Sequence, residues 1–255
     1  MARLGQNFLA DTNLLDAIIR EAEIGGDDVV LEVGAGEGVL TSRLAGRVAH
    51  VHAVEIDRRL EGALSSVAER GDVSIHWADA MRFDFRTLDP SPSTVVANLP
   101  YSVATPVILR TLEQLPSLET WTVMVQREIA DRLRAAPGTK VYGAPTAVLG
   151  VGATVRMLRA VDPAVFTPRP RVGSAVIRIE RTGPGPDPAT WRLIREAFAH
   201  RRKSLARSLE LAEPGRISRV REALVALGLP ADARAETLGP AEFAALSARI
   251  DHSAC

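Results

Sequence analysis

Four consecutive residues, Asn98-Leu99-Pro100-Tyr101, combine types suited to chemistry on an aromatic amine. The amino nitrogen of adenine is a poor nucleophile because its lone pair is delocalised into the ring. Two acceptors fixed around the amino group favour a pyramidal nitrogen with a localised lone pair. The Asn98 side-chain oxygen and the Leu99 backbone carbonyl can be those acceptors. Pro100 fixes its own φ and biases Leu99 towards an extended backbone. Tyr101 offers an aromatic face on which an extruded base can stack. Held in this way, the amine can attack a sulfonium methyl in line while the carbonyls stabilise the positive charge developing on nitrogen. Neither a strong general base nor a metal is required. The plain alternative is a strand-to-helix turn, for which Asn and Pro are ordinary residues.

Three upstream features suit a nucleoside ligand. Glu32-Val33-Gly34-Ala35-Gly36-Glu37-Gly38 is a glycine-rich segment after an apolar run, and such glycines let the backbone turn tightly and approach a ligand. Val39 stands where a dinucleotide G-x-G-x-x-G motif needs its third glycine, so the spacing leans away from a nicotinamide site. Glu55 lies 21 positions after Gly34, where a carboxylate can accept both ribose hydroxyl hydrogens. Asp79 can accept from an adenine amino group or simply cap a turn. Each is weak alone; their order along the chain makes them one crevice.

The elements that position these residues follow from the pattern. Val29–Val33, Val51–Ile56, Val73–Trp77, Thr94–Ala97 and Trp121–Val125 read as strands. Helices are predicted over Val39–Leu44, from Asp57 to about Arg70, Val107–Leu115 and Glu128–Arg134. This alternation predicts an α/β fold with a mainly parallel sheet and helices on both faces, Rossmann-like, with the site at the C-terminal strand ends. Thr154–Leu158 and Ser174–Ile179 are expected as an antiparallel pair at the sheet edge. Gly183-Pro184-Gly185-Pro186 reads as a linker. The expected domains are therefore 1–182, catalytic, and 183–255, small and helical.

Composition narrows the classes. Hydrophobic residues make up 46% of the 255, enough for a sizeable core, and the formal net charge is zero. A single cysteine, Cys255, excludes an intramolecular disulfide and a cysteine-based zinc site. The five histidines show no metal-ligand pattern, and His50 and His52 alternate on one strand as structural residues. No signal-peptide run and no membrane span is evident, so a soluble cytoplasmic protein is expected. Charge is locally biased: Trp191–Arg221 holds nine basic residues against three acids, including Arg201-Arg202-Lys203. That is either a solvated helix face or a surface for RNA phosphates.

Several motifs in order resemble the ribosomal RNA adenine dimethyltransferase family over nearly the whole chain. They are Gly5-Gln6-Asn7-Phe8-Leu9, Gly34 to Thr41, Glu55-Ile56-Asp57, Asp79-Ala80, Asn98-Leu99-Pro100-Tyr101, Gln126-Arg127-Glu128, Tyr142-Gly143, Phe166 to Val172, Ser174-Ala175-Val176 and Phe198 to Leu205. The resemblance implies S-adenosylmethionine as cofactor, with contacts at Asn7, Leu9, Gly34, Glu55, Asp79 and Asn98, and with Gly36, Ile56 and Ala80 beside them in the same motifs. It also implies that Phe166 covers the target base opposite Tyr101. The late motifs favour the small-subunit branch: dimethylation of two adjacent adenines near the 3′ end of 16S rRNA, in an immature 30S subunit, by a monomer. Ala35, where that branch commonly has proline, leans towards the macrolide-resistance branch that acts on 23S rRNA. A ribosome-assembly factor that keeps the fold with little catalysis is a third expectation, and a nicotinamide oxidoreductase a distant fourth.

Overall fold

The computed structural model describes residues 8–9, 12–167 and 169–252. In chain order the first elements are β1 (Phe8–Leu9), α1 (Thr12–Ala22), β2 (Val29–Val33), α2 (Val39–Leu44), β3 (His50–Glu55), α3 (Glu61–Ala68), β4 (Val73–Trp77), β5 (Thr94–Asn98), α4 (Ala104–Gln114), β6 (Thr120–Gln126) and α5 (Arg127–Leu133). There follow α6 (Ala144–Gly152), β7 (Ala153–Val161), β8 (Phe166–Thr167), β9 (Ser174–Arg181), α7 (Pro188–Ala199), α8 (Leu205–Ala212), α9 (Ile217–Ala226) and α10 (Pro240–His252).

Seven strands form one sheet in the order β4-β3-β2-β5-β6-β9-β7. The first five are parallel, which buries them under helices and explains their nearly unbroken apolar runs, such as Val29–Val33. The chain grows from β2 outwards through β3 and β4, then returns to β2's other side with β5 and continues to β6. The strand order reverses between β2 and β5. A crevice opens at such a reversal beyond the carboxyl ends of the strands, and Gly34 and Asn98 stand there.

The late strands β9 and β7 are neighbours at the sheet edge, as expected. β9 inserts beside β6, antiparallel to it from Thr120↔Glu180 to Gln126↔Ser174, and β7 takes the edge. The reason is burial. Residues 174–179 of β9 are all buried, whereas β7 carries exposed Thr154, Arg156 and Ala160 and suits a position with one open side. A two-stranded patch pairs β1 with β8, Leu9 opposite Phe166.

Helix α1 was not anticipated, although its buried Leu14, Leu15, Ile18, Ile19 and Ala22 fall at helical spacing. It stops at Glu23, whose φ is +54°. The buried Arg178 of β9 caps it, donating to the carbonyls of Glu21 at 3.0 Å and Ala22 at 3.2 Å.

The chain divides into two units: residues 1–130 with 155–181, and residues 131–154 with 182–255. The second unit thus takes in 131–154, a segment that the sequence pattern put with the first domain. Its core explains this. Tyr142 stacks 5.9 Å from Phe198, which lies 5.8 Å from Phe243, and the Tyr142 hydroxyl donates to the Leu238 carbonyl at 2.9 Å. These contacts join positions 45 to 96 residues apart, so no local composition signals them. Among the described residues no helix is long and apolar enough to cross a membrane.

Candidate active site

Gly34, Gly36 and Gly38 all adopt positive φ, at +84°, +58° and +79°. Side chains with a Cβ rarely take this conformation, which is why the loop after β2 uses glycine. At Gly34 there is a second reason. A Cβ there would come within 3.1 Å of the Pro100 ring and 3.7 Å of the Asn98 carbonyl. The glycine loop and the Asn98–Tyr101 turn therefore sit against each other, as the shared crevice requires.

Glu55 closes the loop onto the neighbouring strand. Its buried carboxylate accepts the N–H of Gly36 at Oε2 and those of Ile56 and Asp57 at Oε1, each at 2.9 Å. A carboxylate has about four lone-pair sites. Three are engaged, which leaves Oε2 able to take one further donor rather than the two expected. Ile56 follows it in the chain, 51% exposed and apolar. Asp79 caps a turn, Oδ1 accepting from Met81 N–H at 2.9 Å, while Oδ2 has no partner among the described residues. Ala80 follows it, half-buried.

Asn98 ends β5, half-buried, and Leu99 N–H donates to the Met124 carbonyl at 3.1 Å. That bond, the buried Leu99 side chain and the following turn, in which Val103 N–H donates to the Pro100 carbonyl at 3.0 Å, fix the backbone. Among the described residues no hydrogen bond reaches the Asn98 side chain or the Leu99 carbonyl. Two acceptors are thus left unused beside the glycine loop, the Leu99 carbonyl on a backbone that these bonds fix. Tyr101 is half-buried, with its hydroxyl 2.6 Å from Ser174 Oγ.

Phe166 differs from expectation. Its side chain is 3% exposed and belongs to the buried cluster that includes Leu14, Leu15 and Ile18 of α1. An apolar ring surrounded by apolar neighbours stays in the core, so in this conformation Tyr101 is the aromatic face open to the crevice. Asn7 lies outside the described residues, and of Leu9 only the backbone pairing with Phe166 is described.

One group escaped the sequence pattern. Glu32, within the glycine motif, is buried on β2 and accepts from the Thr41 hydroxyl at 2.6 Å. Burial drives its pKa up to about 8, the Thr41 bond opposes the shift, and the Glu55 charge adds to it. His50, His52 and His76 form a stack on β3 and β4. His52 Nε2 lies 2.8 Å from the Pro90 carbonyl, so it carries the proton, and His76 Nε2 must then donate to His52 Nδ1 across 3.0 Å. Burial pushes His52 down to about 4, which keeps it neutral. Among the described residues no group of three or more His, Cys, Asp or Glu could hold a metal ion.

In the second unit the basic triplet lies in the turn before α8. Its members differ. The Arg201 guanidinium donates to the Tyr142 carbonyl at 3.1 Å and the Lys140 carbonyl at 3.4 Å, and it pairs with Glu236 at 3.7 Å. Arg202 and Lys203 are exposed and make no such contacts. Arg201 is therefore largely spent on holding 140–142 against 201, whereas its two neighbours keep their charge for solvent or a ligand.

Comparisons with known proteins bear on this geometry. A family model described as ribosomal RNA adenine dimethylase matches residues 1–251. A protein of Rubrobacter xylanophilus named ribosomal RNA small subunit methyltransferase A is 46% identical over 97% of this chain and 94% of its own length. One of the same name from Thermobifida fusca is 43% identical, over 96% and 88%. Among solved structures, a dimethyladenosine transferase from Plasmodium falciparum matches with a TM-score of 0.78 at 22% identity, covering 94% of this chain and 95% of that one, and shows the fold. The 23S rRNA methyltransferase ErmE matches with a TM-score of 0.66 at 29% identity, over 96% and 100%.

Proposed function

This chain belongs to the ribosomal RNA adenine dimethylase family, and from that premise we propose that it moves methyl groups from S-adenosylmethionine to the N6 atoms of two adjacent adenines near the 3′ end of 16S rRNA. It is an rRNA adenine methyltransferase. In the proposal it works as a monomer in the cytoplasm, on an immature 30S subunit. The observation that carries the chemistry is the pair of unshared acceptors at Asn98 and Leu99 on a fixed backbone.

The residues present fit an adenosine-bearing methyl donor. Glu55 Oε2 has room for a ribose hydroxyl, Asp79 Oδ2 for an adenine amino group, and Ile56 offers an apolar face with Ala80 beside Asp79. Gly34 and Gly36 leave the loop without side chains where the ligand passes, and Asn7 and Leu9 complete the proposed set. When bound, S-adenosylmethionine supplies a methyl group on a positively charged sulfur.

The chain's own residues do the rest by positioning. Asn98 Oδ1 and the Leu99 carbonyl accept the two N6 hydrogens of adenine, which localises the nitrogen lone pair and aims it. As nitrogen becomes cationic, the same two dipoles stabilise it without reorganising, because Leu99 and Pro100 are already fixed by backbone bonds. Tyr101 stacks on the base. The methyl–sulfur bond breaks as the nitrogen–carbon bond forms, the cationic nitrogen gives up one proton to water, and the one hydrogen left on N6 is held by one acceptor for the second transfer. In the helical unit, Arg202 and Lys203 contact RNA phosphates, while Arg201 supports the turn that presents them.

The test supplies tritiated S-adenosylmethionine to the protein with immature 30S particles and, separately, with 23S RNA. Label is expected in 16S RNA only. Label in 23S RNA alone would assign the chain to the resistance-type activity, and no label with either RNA, together with no cofactor binding, would favour an assembly factor.

A further inference from the structure

Ser174 is the first residue of β9 and is 1% exposed. The one hydrogen-bond partner of its hydroxyl among the described residues is the Tyr101 hydroxyl, 2.6 Å away and 73 positions earlier in the chain. Either oxygen could donate, but burial decides the direction. If Tyr101 donated, the serine hydrogen would be enclosed with no acceptor, which is a heavily penalised state. If Ser174 donates, every buried hydrogen is used, and the phenol hydrogen of the half-buried Tyr101 stays free for the open side of the site.

The serine itself has little freedom. Its strand pairs with β6 from Gln126↔Ser174 to Thr120↔Glu180, and the preceding Gly173 carbonyl accepts Arg127 N–H at 2.9 Å. β6 in turn pairs with β5 up to Asn98. Asn98 and Ser174 are therefore mounted on one sheet, one strand apart. Tyr101, in contrast, follows Pro100 in an exposed turn and has no other side-chain tether.

We propose that Ser174 is a positioning residue. Its hydroxyl donates to Tyr101 and locks the phenol ring at a fixed angle to the Asn98 and Leu99 acceptors, with the phenol hydrogen left to donate to the bound RNA. The base then meets a preset wall and does not have to order a rotating side chain. The inference rests on the assignment of Asn98–Tyr101 as the base site.

A double-mutant cycle with Ser174→Ala, Tyr101→Phe and the pair tests it, with Tyr101→Ala as the separate check on the base site. The readouts are single-turnover methyl transfer to 30S particles, S-adenosylmethionine affinity and thermal unfolding. Ser174→Ala is expected to slow transfer about tenfold, the scale of one lost hydrogen bond, with cofactor affinity unchanged. Tyr101→Phe should slow it at least as much, because it removes both the anchor and the free donor. The pair should be no slower than Tyr101→Phe alone, since the serine acts only through the phenol. Single effects that multiply in the pair, or a Ser174→Ala protein with normal transfer, would overturn the proposal. So would a cofactor-affinity loss equal to the rate loss, which would make Ser174 a general packing residue. If Tyr101→Ala itself transfers normally, the base-site assignment fails and takes this inference with it; if Tyr101→Ala is inactive while the cycle multiplies, only the inference fails.

Discussion

The turn at Asn98–Tyr101 and the turn at Arg201–Lys203 carry motifs of similar clarity, yet the structure treats them differently. In the first, the polar atoms that the motif advertises are unshared: Asn98 Oδ1 and the Leu99 carbonyl have no partner among the described residues, and the backbone that carries them is fixed. In the second, the leading arginine is consumed by two backbone carbonyls and Glu236, and only Arg202 and Lys203 keep free charge. Residue type nominates a site, but unused hydrogen-bonding capacity held in place is what allows it to act. Glu55 lies between the extremes, with three of its lone-pair sites taken by backbone N–H groups.

The sharpest way to break this comparison is to remove an unused acceptor. Asn98→Ala should cut methyl transfer about a hundredfold or more, the range for losing one transition-state partner, while S-adenosylmethionine affinity stays within about tenfold. Near-normal turnover would put Asn98 in the same class as Arg201. Next in size is Gly34→Ala. A non-glycine residue at φ +84° costs about 1–2 kcal/mol, and its Cβ would press on Pro100 at 3.1 Å. We expect a lower melting temperature and about tenfold weaker cofactor binding, both from displacement of the loop.

Glu32 gives a pH signature that differs from those of the other acids. Its carboxyl holds its proton to about pH 8 in the folded protein, against an ordinary value of 4.5. Between those pH values the native state binds the extra proton, so its contribution makes stability fall as pH rises from about 4.5 to about 8, then level off. The loss across that window is of order a few kcal/mol, at about 1.4 kcal/mol for each pH unit between the two pKa values. Glu32→Gln should remove this slope, as read by denaturant unfolding at several pH values. His52 works in the opposite sense. Its depressed value of about 4 means that its contribution is present above about 6.5 and is lost as pH falls towards 4. The two slopes partly offset each other below pH 6.5, so the Glu32 effect should be cleanest between 6.5 and 8.

The smallest expected effects separate the members of the basic triplet. Reversing Arg202 and Lys203 to Glu should weaken 30S binding several-fold and lower the slope of log K against log salt by about two. Arg201→Gln should cost about 1 kcal/mol of unfolding stability and change the salt slope little, because its donors serve carbonyls. Equal slope changes from all three would erase the distinction.

Much of the first unit was legible because its signals are local. Val29–Val33, Val39–Leu44 and Val73–Trp77 are strand, helix and strand at the residues that their apolar runs and flanking glycines indicate. The site's order along the chain was legible too, since parallel strands bring Gly34, Glu55, Asp79 and Asn98 to one edge. What escaped depends on distant partners. Phe166 shows no sign in its own segment that α1 will bury it. Residues 131–154 carry Pro145, Gly150 and Gly152, which obscure helix α6, and Tyr142 finds its partners in 198, 238 and 243. The Ser174–Tyr101 bond joins two motifs that no spacing rule connects.

The central claim is that two fixed acceptors select an exocyclic amine, and the identity of the methylated atom tests it most directly. Treated 30S particles would be digested to nucleosides and the products resolved by mass spectrometry against synthetic standards. We predict N6,N6-dimethyladenosine, with N6-methyladenosine as its precursor at early times. Methylation at adenine N1, at a ring carbon or at a ribose hydroxyl would contradict the claim, because none of those positions presents two hydrogens to Asn98 and Leu99.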